Sequence, residues 1–225
     1  MDKLGISRFP GAFNRIPNFV GAEEAAINLT SLTEFQKAKV VKVNPDSPQI
    51  PVRRLVLLRK KSLIMPSPRL KEGFLVLDPN LIPQSFIEGA ASIKGAFRHG
   101  KPTSIDDLPQ IDLVVAGSVA VSTVGARVGK GKGYSEIEYG AIKELGLINE
   151  EVSVVTTVHD AQIVEQIPTE DHDVMVDVII TPTRVIRVEK RRRQPPGIIW
   201  NKVTSTMLKE IPILRELKRK KNSDH

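Results

Sequence analysis

The sequence predicts an α/β protein, a three-layer Rossmann-like sandwich built on a mainly parallel sheet. Short apolar runs alternate with helix-compatible stretches along the chain, which is the pattern of strands joined by crossover helices. The run 112–116 is apolar almost throughout, as expected of a strand buried on both faces of a parallel sheet. No repeat or low-complexity linker divides the 225 residues, so one sizeable core is expected.

Each element is predicted from its periodicity and from the residues at its ends. Ala25 and Leu29 belong to a set of apolar positions, three and four residues apart, that indicates a helix over 23–37. A helix over 85–98 is weakened by two glycines, and Gly146 ends the helix that follows residue 134. Strands are predicted at 55–58, 63–65, 74–77, 112–116, 152–158, 174–180 and 184–188.

The C-terminal end is predicted to form a basic extension. Residues 184–225 hold 13 of the 33 Lys and Arg but only 4 of the 26 Asp and Glu. A last helix is predicted over 204–221, with an interruption near Pro212. We therefore divide the chain into an α/β domain at 1–190, which includes an irregular N-terminal arm, and an extension at 191–225. Its excess of positive charge favours an anionic partner.

Composition excludes several classes of protein and of site. Because the chain has no cysteine, disulfides and thiolate metal sites are excluded. No apolar run reaches the roughly 20 residues that a membrane helix needs, and the N-terminus lacks the apolar core of a secretion signal. We therefore expect a cytoplasmic protein with no membrane association.

The most informative segment is the glycine-rich, cationic stretch 127–134. It contains Arg127, Gly129, Lys130, Gly131, Lys132, Gly133 and Tyr134. Glycines let backbone N–H groups approach a ligand closely, and turn amides and a helix N-terminus are both electropositive. The segment therefore predicts a nucleotide phosphate loop between a strand and a helix. Its spacing matches neither the P-loop nor the dinucleotide pattern, so a flexible turn with solvated lysines remains the alternative.

Two other groups of charged side chains are candidates for a site. Asp173 and Asp177 flank the start of a predicted strand, and carboxylate oxygens suit Mg²⁺ that also binds substrate phosphates. The alternative is a helix cap or a solvated acidic loop. The pair His159-Asp160 is a third candidate, for which a structural hydrogen bond is the alternative.

Two ordered motifs carry a resemblance to a known family. The first comprises 111–117 and the stretch Gly125-Ala126-Arg127-Val128-Gly129-Lys130-Gly131-Lys132-Gly133-Tyr134, and the second comprises 162–168 and 172–177. They resemble the 5-formyltetrahydrofolate cyclo-ligase family, the methenyltetrahydrofolate synthetases. Further stretches, such as 15–19 and 65–70, resemble its divergent branch of methenyltetrahydrofolate synthetase domain-containing proteins over nearly the whole chain.

The resemblance implies a reaction and a set of site residues. The reaction is the ATP- and Mg²⁺-dependent cyclisation of 5-formyltetrahydrofolate, or a related formylated pterin, to 5,10-methenyltetrahydrofolate with release of ADP and phosphate. The implied ATP-binding residues are Gly129, Lys130, Gly131, Lys132, Gly133 and Tyr134. The implied catalytic residues are Arg127, Lys132 and Tyr134. The implied metal-side carboxylates are Glu136, Asp177 and Asp173.

The chain departs from the family pattern after the last glycine of the loop. Where the family has Tyr-Tyr-Asp, this chain has Tyr134-Ser135-Glu136, which keeps a carboxylate on a longer arm and removes an aromatic ring. An alternative function is therefore a nucleotide-binding protein that has lost the cyclisation chemistry and binds RNA through 189–225. A further alternative is an interaction of the tail helix with an acidic protein partner.

Overall fold

A computed structural model describes residues 1–189 and 194–223, so the four consecutive basic residues 190–193, where the predicted extension begins, lie outside the described residues. The strands are β1 (Val40–Val43), β2 (Ser62–Pro66), β3 (Phe74–Leu77), β4 (Lys101–Thr103), β5 (Leu113–Ala116), β6 (Ala120–Ser122), β7 (Arg127–Val128), β8 (Ser153–Thr157), β9 (Ile163–Val164), β10 (Val178–Ile180) and β11 (Val185–Arg187). The helices are α1 (Ala22–Thr30), α2 (Thr33–Lys37), α3 (Ile50–Leu58), α4 (Ile87–Ala90), α5 (Ile93–His99), α6 (Tyr134–Glu144), α7 (Ser205–Glu210) and α8 (Pro212–Ser223).

The main sheet has eight strands in the order β11-β10-β8-β5-β1-β2-β3-β4. Its five central strands, β10 to β2, are parallel to one another. The remaining strands, β11 at one side and β3 and β4 at the other, pair antiparallel. A small second sheet has the order β7-β6-β9 and leads into the glycine-rich segment.

Two hydrophobic cores lie on opposite faces of the main sheet. Leu113 and Val115 of β5 belong to one core, whereas Val114 and Ala116 belong to the other, because successive side chains of a strand point to opposite faces. Helices α1 and α3 cover the first core, and α6 and α8 cover the second. The predicted three-layer α/β sandwich with a mainly parallel sheet is therefore confirmed.

The structure differs from the sequence prediction around β1. Residues 55–58, predicted as a strand, are the last residues of α3. Pro48 and Pro51 lie at the start of this helical stretch, where proline is compatible with a helix. A four-residue apolar run does not distinguish a buried helix from a strand. The sequence pattern does not indicate β1, a central strand, because Lys42 interrupts its apolar run.

Other predicted elements are present but shorter or interrupted. The helix predicted over 23–37 is divided into α1 and α2, and the strand predicted over 174–180 is reduced to β10. The helix predicted over 85–98 is divided into α4 and α5, because Ser92 caps α5 by accepting a hydrogen bond from the Gly95 amide at 3.0 Å. The interruption predicted near Pro212 is confirmed, since it separates α7 from α8.

The C-terminal helices pack on the α/β domain. Ile211, Ile213, Leu214 and Leu217 are buried in the second core, where α6 also contributes side chains. The basic side chains of α8 therefore lie on its outer face. None of the described helices is long and apolar enough to cross a membrane.

Candidate functional site

The glycine-rich segment joins β7 to α6 and presents backbone amides without partners. Gly131 and Gly133 have φ angles of 72° and 68°, in the left-handed region that favours glycine. Gly133 is the N-cap of α6, so the first amides of that helix have no carbonyl partner within it. Within the described part of the chain, the N–H groups of 129–132 donate no hydrogen bond either. Several donors are thus available to a single anion.

A cavity of about 820 Å³ lies beside this segment, at the carboxyl ends of β1 and β5. Its wall is formed by most of the arm residues 10–18, by 44–47 after β1, by Gly117 after β5, and by the segment from Arg127 to Glu136. The carboxyl edge of parallel strands is the usual place for ligands in α/β proteins. The volume lies within the range of about 300–1,000 Å³ that is typical of small-molecule sites.

The two lysines of the segment differ in their partners. The Lys130 ammonium lies 2.8 Å from a carboxylate oxygen of Asp46, which links the segment to the loop after β1. Lys132 also lines the cavity and is exposed, and among the described residues it has no acidic or carbonyl partner. Lys132 can therefore bind an anion without first breaking an ion pair, whereas Lys130 has to leave Asp46.

Arg127, the first residue of the segment, is buried at the cavity and contacts three protein groups. Its guanidinium donates to the Gly117 carbonyl at 2.9 Å and to the Val174 carbonyl at 3.2 Å, and it forms an ion pair with Glu136. These contacts fix the start of the segment against the end of β5 and orient the Glu136 carboxylate. Tyr134 is half-buried and lines the same cavity.

A buried ion pair forms part of the cavity wall. The Lys42 ammonium donates to Glu138 Oε2 at 2.7 Å and to Asn44 Oδ1 at 2.8 Å. Burial raises the pKa of Glu138, an effect that Lys42 opposes and that the carboxylates of Asp46 and Glu136 reinforce. No role for these groups is predicted from the sequence. The signal was the lysine within the apolar run of β1, because a buried charge requires a partner.

Arg53 of α3 holds the loop that carries Asn44 and Asp46. It is fully buried, and it donates to the carbonyls of Ala91 at 2.7 Å, Asn44 at 2.5 Å and Asp46 at 3.1 Å. Burial lowers the pKa of Arg53 to about 10, although the Asp46 carboxylate acts in the opposite direction. The position of both cavity side chains thus depends on a guanidinium that does not itself line the cavity.

Asp173 and Asp177 are not among the residues that line the cavity. The Asp177 carboxylate accepts a hydrogen bond from the Val154 amide at 2.8 Å, at the start of β8 and β10. This is the amino end of the parallel strands, opposite to the edge that carries the cavity. Asp173 accepts a hydrogen bond from the Glu170 amide at 2.7 Å, which closes a local turn. The structure therefore does not bring these two carboxylates together with Glu136.

The pair His159-Asp160 has structural partners. His159 accepts a hydrogen bond from the Ala161 amide at 3.0 Å and caps a short helical turn. The Asp160 carboxylate pairs with Arg184 at 2.9 Å and with the Thr183 hydroxyl at 3.0 Å. These contacts agree with the structural alternative that the sequence left open.

The carboxylates at the cavity fit a metal that arrives with a nucleotide. Asp46, Glu136 and Glu138 line the cavity, and each is paired with a cation. The described residues contain no group of three or more acidic, His or Cys side chains arranged to hold a metal ion. Mg²⁺ commonly takes only one or two protein carboxylates and completes its shell with substrate phosphates and water. The donor set is therefore compatible with Mg²⁺ bound together with ATP.

Comparison with known proteins identifies related sequences. The family profile described as the 5-formyltetrahydrofolate cyclo-ligase family matches residues 10–182, which include the arm and the glycine-rich segment. The methenyltetrahydrofolate synthase domain-containing protein of Mus musculus is 43% identical over 98% of this chain. The Homo sapiens protein of the same name is 42% identical over 97% of this chain. The chain spans 60% and 58% of the length of these two relatives.

A solved structure is also similar in fold. It is that of 5,10-methenyltetrahydrofolate synthetase from Aquifex aeolicus, with a TM-score of 0.50 and 24% sequence identity. The match covers 77% of this chain and 84% of that one. It agrees with the three-layer arrangement described above.

Proposed function

Because the chain belongs to the 5-formyltetrahydrofolate cyclo-ligase family, we propose that it is an ATP- and Mg²⁺-dependent cyclo-ligase. The substrate is 5-formyltetrahydrofolate or a related formylated pterin, and the products are 5,10-methenyltetrahydrofolate, ADP and phosphate. The family predicted from the sequence is confirmed. The use of ATP and Mg²⁺, the identity of the carrier and a cytoplasmic location remain predictions for this chain.

One observation carries this proposal: the glycine-rich segment and Lys132 line the same cavity, and among residues 1–189 and 194–223 neither the amides of 129–132 nor the Lys132 ammonium has a partner. Two further cations also line it, Arg15 of the N-terminal arm and Arg69 of the segment after β2. The three lining carboxylates are paired with Lys42, Arg127 and Lys130, so the cavity retains an excess of positive charge. Such an excess favours a polyphosphate.

The proposed reaction places negative charge where the glycine-rich segment can stabilise it. The γ-phosphoryl group of ATP passes to the formyl oxygen, and ADP leaves. N10 then attacks the formyl carbon and loses its proton, while the C–O bond breaks and phosphate leaves. During phosphoryl transfer the charge is spread over the oxygens of the transferred group. Preorganised amides and cations around these oxygens lower the barrier without reorganisation.

The contacts distinguish the roles of the candidate residues. We assign the phosphates to the amides of the segment, to Lys130 after it leaves Asp46, and to Lys132, which is the catalytic cation. Tyr134 lines the junction between ATP and the second substrate. Arg127 is a positioning residue, because three of its five N–H groups donate to protein groups and one of these contacts orients Glu136.

Glu136 is the carboxylate that we assign to Mg²⁺. It lines the cavity at the first turn of α6, close to the amides that would bind the phosphates. Mg²⁺ held there would supply Lewis-acid stabilisation of the charge on the phosphates. Asp173 and Asp177 receive no metal role, because neither lines the cavity.

The test is the formation of methenyl absorbance from 5-formyltetrahydrofolate, ATP and Mg²⁺. We expect turnover by the wild-type protein and a loss of about 100- to 1,000-fold in Lys132→Ala, the usual effect of removing one group that stabilises transition-state charge. Lys37→Ala is the matched control, since Lys37 is an exposed lysine of α2 outside the cavity. No methenyl product from the wild-type protein, or full turnover by Lys132→Ala, would contradict the proposal.

The second candidate is a nucleotide-binding protein that has lost cyclisation and binds RNA at its basic end. The observation in its favour is the outer face of α8, where Lys218, Arg219 and Lys221 are exposed. The candidate predicts binding of ATP without methenyl product, and binding of a single-stranded RNA 20-mer that weakens steeply with salt. Reversing the three charges to Glu tests it better than truncation, because truncation also removes core residues of α8. Unchanged RNA affinity in that variant would contradict this candidate.

A further inference from the structure

The orientation of the Asn44 amide is fixed by a group that can only donate. The Lys42 ammonium lies 2.8 Å from Asn44 Oδ1 and carries no acceptor. Glu138 accepts from the same ammonium at 2.7 Å and holds it in place. If the Asn44 amide turned over, its NH₂ group would face the ammonium, donor against donor. The oxygen of Asn44 therefore faces Lys42 and the NH₂ group faces away.

The NH₂ group of Asn44 is a buried donor that remains available. Asn44 is only 4% exposed, and that small exposed area lies on the cavity wall. Its backbone amide is bound to the Val115 carbonyl at 3.1 Å, and Arg53 binds its carbonyl, so the residue has little freedom to move. Among the described residues, Asn44 Nδ2 donates no hydrogen bond. A molecule that enters the cavity, water or ligand, is its remaining partner.

The charges around Asn44 favour a neutral acceptor. The charges close to Asn44 are balanced, Lys42 by Glu138 and Asp46 by Lys130, so a phosphate there would have to compete with a carboxylate for either cation. A carbonyl oxygen or an unprotonated ring nitrogen would not. Formylated pterins carry such acceptors.

We propose that Asn44 is a substrate-specificity residue that donates a hydrogen bond to a neutral acceptor atom of the formylated pterin, with Lys42 and Glu138 as positioning residues that fix its amide. This inference rests on the proposed function. In this arrangement the pterin binds the part of the cavity beside Asn44, at the end of β1, and the nucleotide binds the glycine-rich segment. Ligands that present a donor at this position are excluded by the same geometry.

The test measures two affinities in the same proteins: that of 5-formyltetrahydrofolate with Mg²⁺ and a non-hydrolysable ATP analogue present, and that of the analogue with Mg²⁺ alone. Asn44→Asp keeps the shape and the contact with Lys42 but turns an acceptor towards the cavity. We expect about 30-fold weaker binding of 5-formyltetrahydrofolate in Asn44→Asp and about tenfold in Asn44→Ala, since a buried polar group loses its partner. The affinity for the analogue should stay within about twofold.

The outcomes separate this inference from the proposed function. If the wild-type protein binds both ligands and the variants bind 5-formyltetrahydrofolate as tightly, the inference alone is wrong. An equal loss of affinity for the ATP analogue also contradicts it, because Asn44 would then face the nucleotide. A wild-type protein that binds neither ligand, or the analogue alone, overturns the proposed function and this inference together.

A second measurement covers the case of a variant that does not fold, which thermal unfolding identifies. The ¹⁵N signal of the Asn44 side-chain amide in the wild-type protein should then shift on addition of 5-formyltetrahydrofolate. An unchanged signal contradicts the inference.

The positioning role of Lys42 and Glu138 is tested by a double-mutant cycle. In Lys42→Met/Glu138→Gln both charges are removed and the Asn44 amide is free to turn. We expect Asn44→Asp to weaken binding of 5-formyltetrahydrofolate about 30-fold in the wild-type background but about threefold or less in this one. Equal effects in the two backgrounds would show that the pair supports the fold without orienting Asn44.

Discussion

The side chains around the cavity form three carboxylate–cation pairs. These pairs are Asp46–Lys130, Glu136–Arg127 and Glu138–Lys42. The pair of Lys42 and Glu138 is the most deeply buried, with side-chain exposures of 2% and 5%. A buried pair of this kind is weak evidence for added stability, but the loss of one partner leaves an uncompensated charge. The free energy of unfolding should therefore respond strongly to a change in either residue.

Replacement of Lys42 by Met should give a pH-dependent loss of stability. Lys42 opposes the effect of burial on Glu138, so its removal raises the Glu138 pKa further above 4.5. An acid with a raised folded pKa binds more protons in the folded state, so stability falls as the pH rises from 4.5 through that folded pKa. We expect Lys42→Met to lower the free energy of unfolding by about 3 kcal/mol at pH 8, and by less at pH 5, in urea denaturation.

Two variants control this measurement. Lys39→Met alters an exposed lysine next to the same strand and should change stability by less than about 0.5 kcal/mol. Lys42→Met/Glu138→Gln removes the titrating group, so it should lack the additional loss of stability at pH 8 that Lys42→Met shows. A cost of Lys42→Met that is equal at both pH values would show that Glu138 does not titrate as described.

The sequence predicted part of the site at the level of single residues. The glycines and cations of 127–134 are adjacent in the chain, so their pattern is visible directly. Asp46 and Glu138 contribute through pairs that join residues 84 and 96 positions apart, and no local pattern reports such contacts. Asp177 was selected because it precedes an apolar run. A residue that comes just before a parallel strand lies at the amino edge of the sheet, however, and the cavity lies at the carboxyl edge.

Among the secondary-structure elements, the segment between β7 and α6 owes its shape to two glycines. Gly131 and Gly133 occupy the left-handed region, whereas Gly129 does not. A methyl group would find space at Gly131, and at Gly133 it would meet only Met207 at 3.8 Å. The cost of a side chain at these two positions is therefore backbone strain and not a steric clash.

Alanine substitutions should separate the three glycines. We expect Gly131→Ala and Gly133→Ala each to lower the free energy of unfolding by about 1–2 kcal/mol, the strain of a left-handed non-glycine residue. Gly129→Ala should cost less than about 0.5 kcal/mol, because its nearest neighbour, a guanidinium nitrogen of Arg127, lies at an ordinary contact distance of 3.5 Å. Chemical denaturation measures all three. Equal costs at the three positions would contradict the assigned backbone geometry.

The elements that the sequence predicted well are those with a single strong signal. Helix α6 follows a glycine N-cap and ends before Gly146, and β5 is apolar on both faces. Strand β1 contains Lys42, whose burial is explained only by its distant partner Glu138. The apolar run at the end of α3 also fits a strand. Tertiary packing determines both elements, and it is not visible in a short stretch of sequence.

At the scale of the whole molecule, helix α8 of the basic C-terminal extension contributes apolar side chains to the second core. The family profile ends at residue 182, yet α8 buries Leu214 fully against the side chains that α6 contributes. The charge count sets the C-terminal residues apart because their charged side chains lie on the exposed face of α8. The spacing of Ile213, Leu214 and Leu217 is the signal that the same helix packs on a domain. The boundary at 190/191 remains a prediction.

Truncation of Leu214 should therefore destabilise the α/β domain itself. We expect Leu214→Ala to lower the free energy of unfolding by about 2–5 kcal/mol, as for other leucines in well-packed cores. Glu216→Ala, on the exposed face of the same helix, should change it by less than about 0.5 kcal/mol. The measurement is a single cooperative unfolding transition. If Leu214→Ala leaves the transition unchanged, the tail is not part of the core.

The proposed function depends on the binding of a polyphosphate by the amides of residues 129–136. The most direct measurement is a titration of ¹⁵N-labelled protein with Mg²⁺ and ATP, followed by the shifts of its backbone amide signals. We expect the largest shifts at 129–136, because those N–H groups change from open donors to phosphate ligands. Saturable binding of ATP that leaves the signals of 129–136 unchanged, and shifts amides elsewhere, would contradict the account.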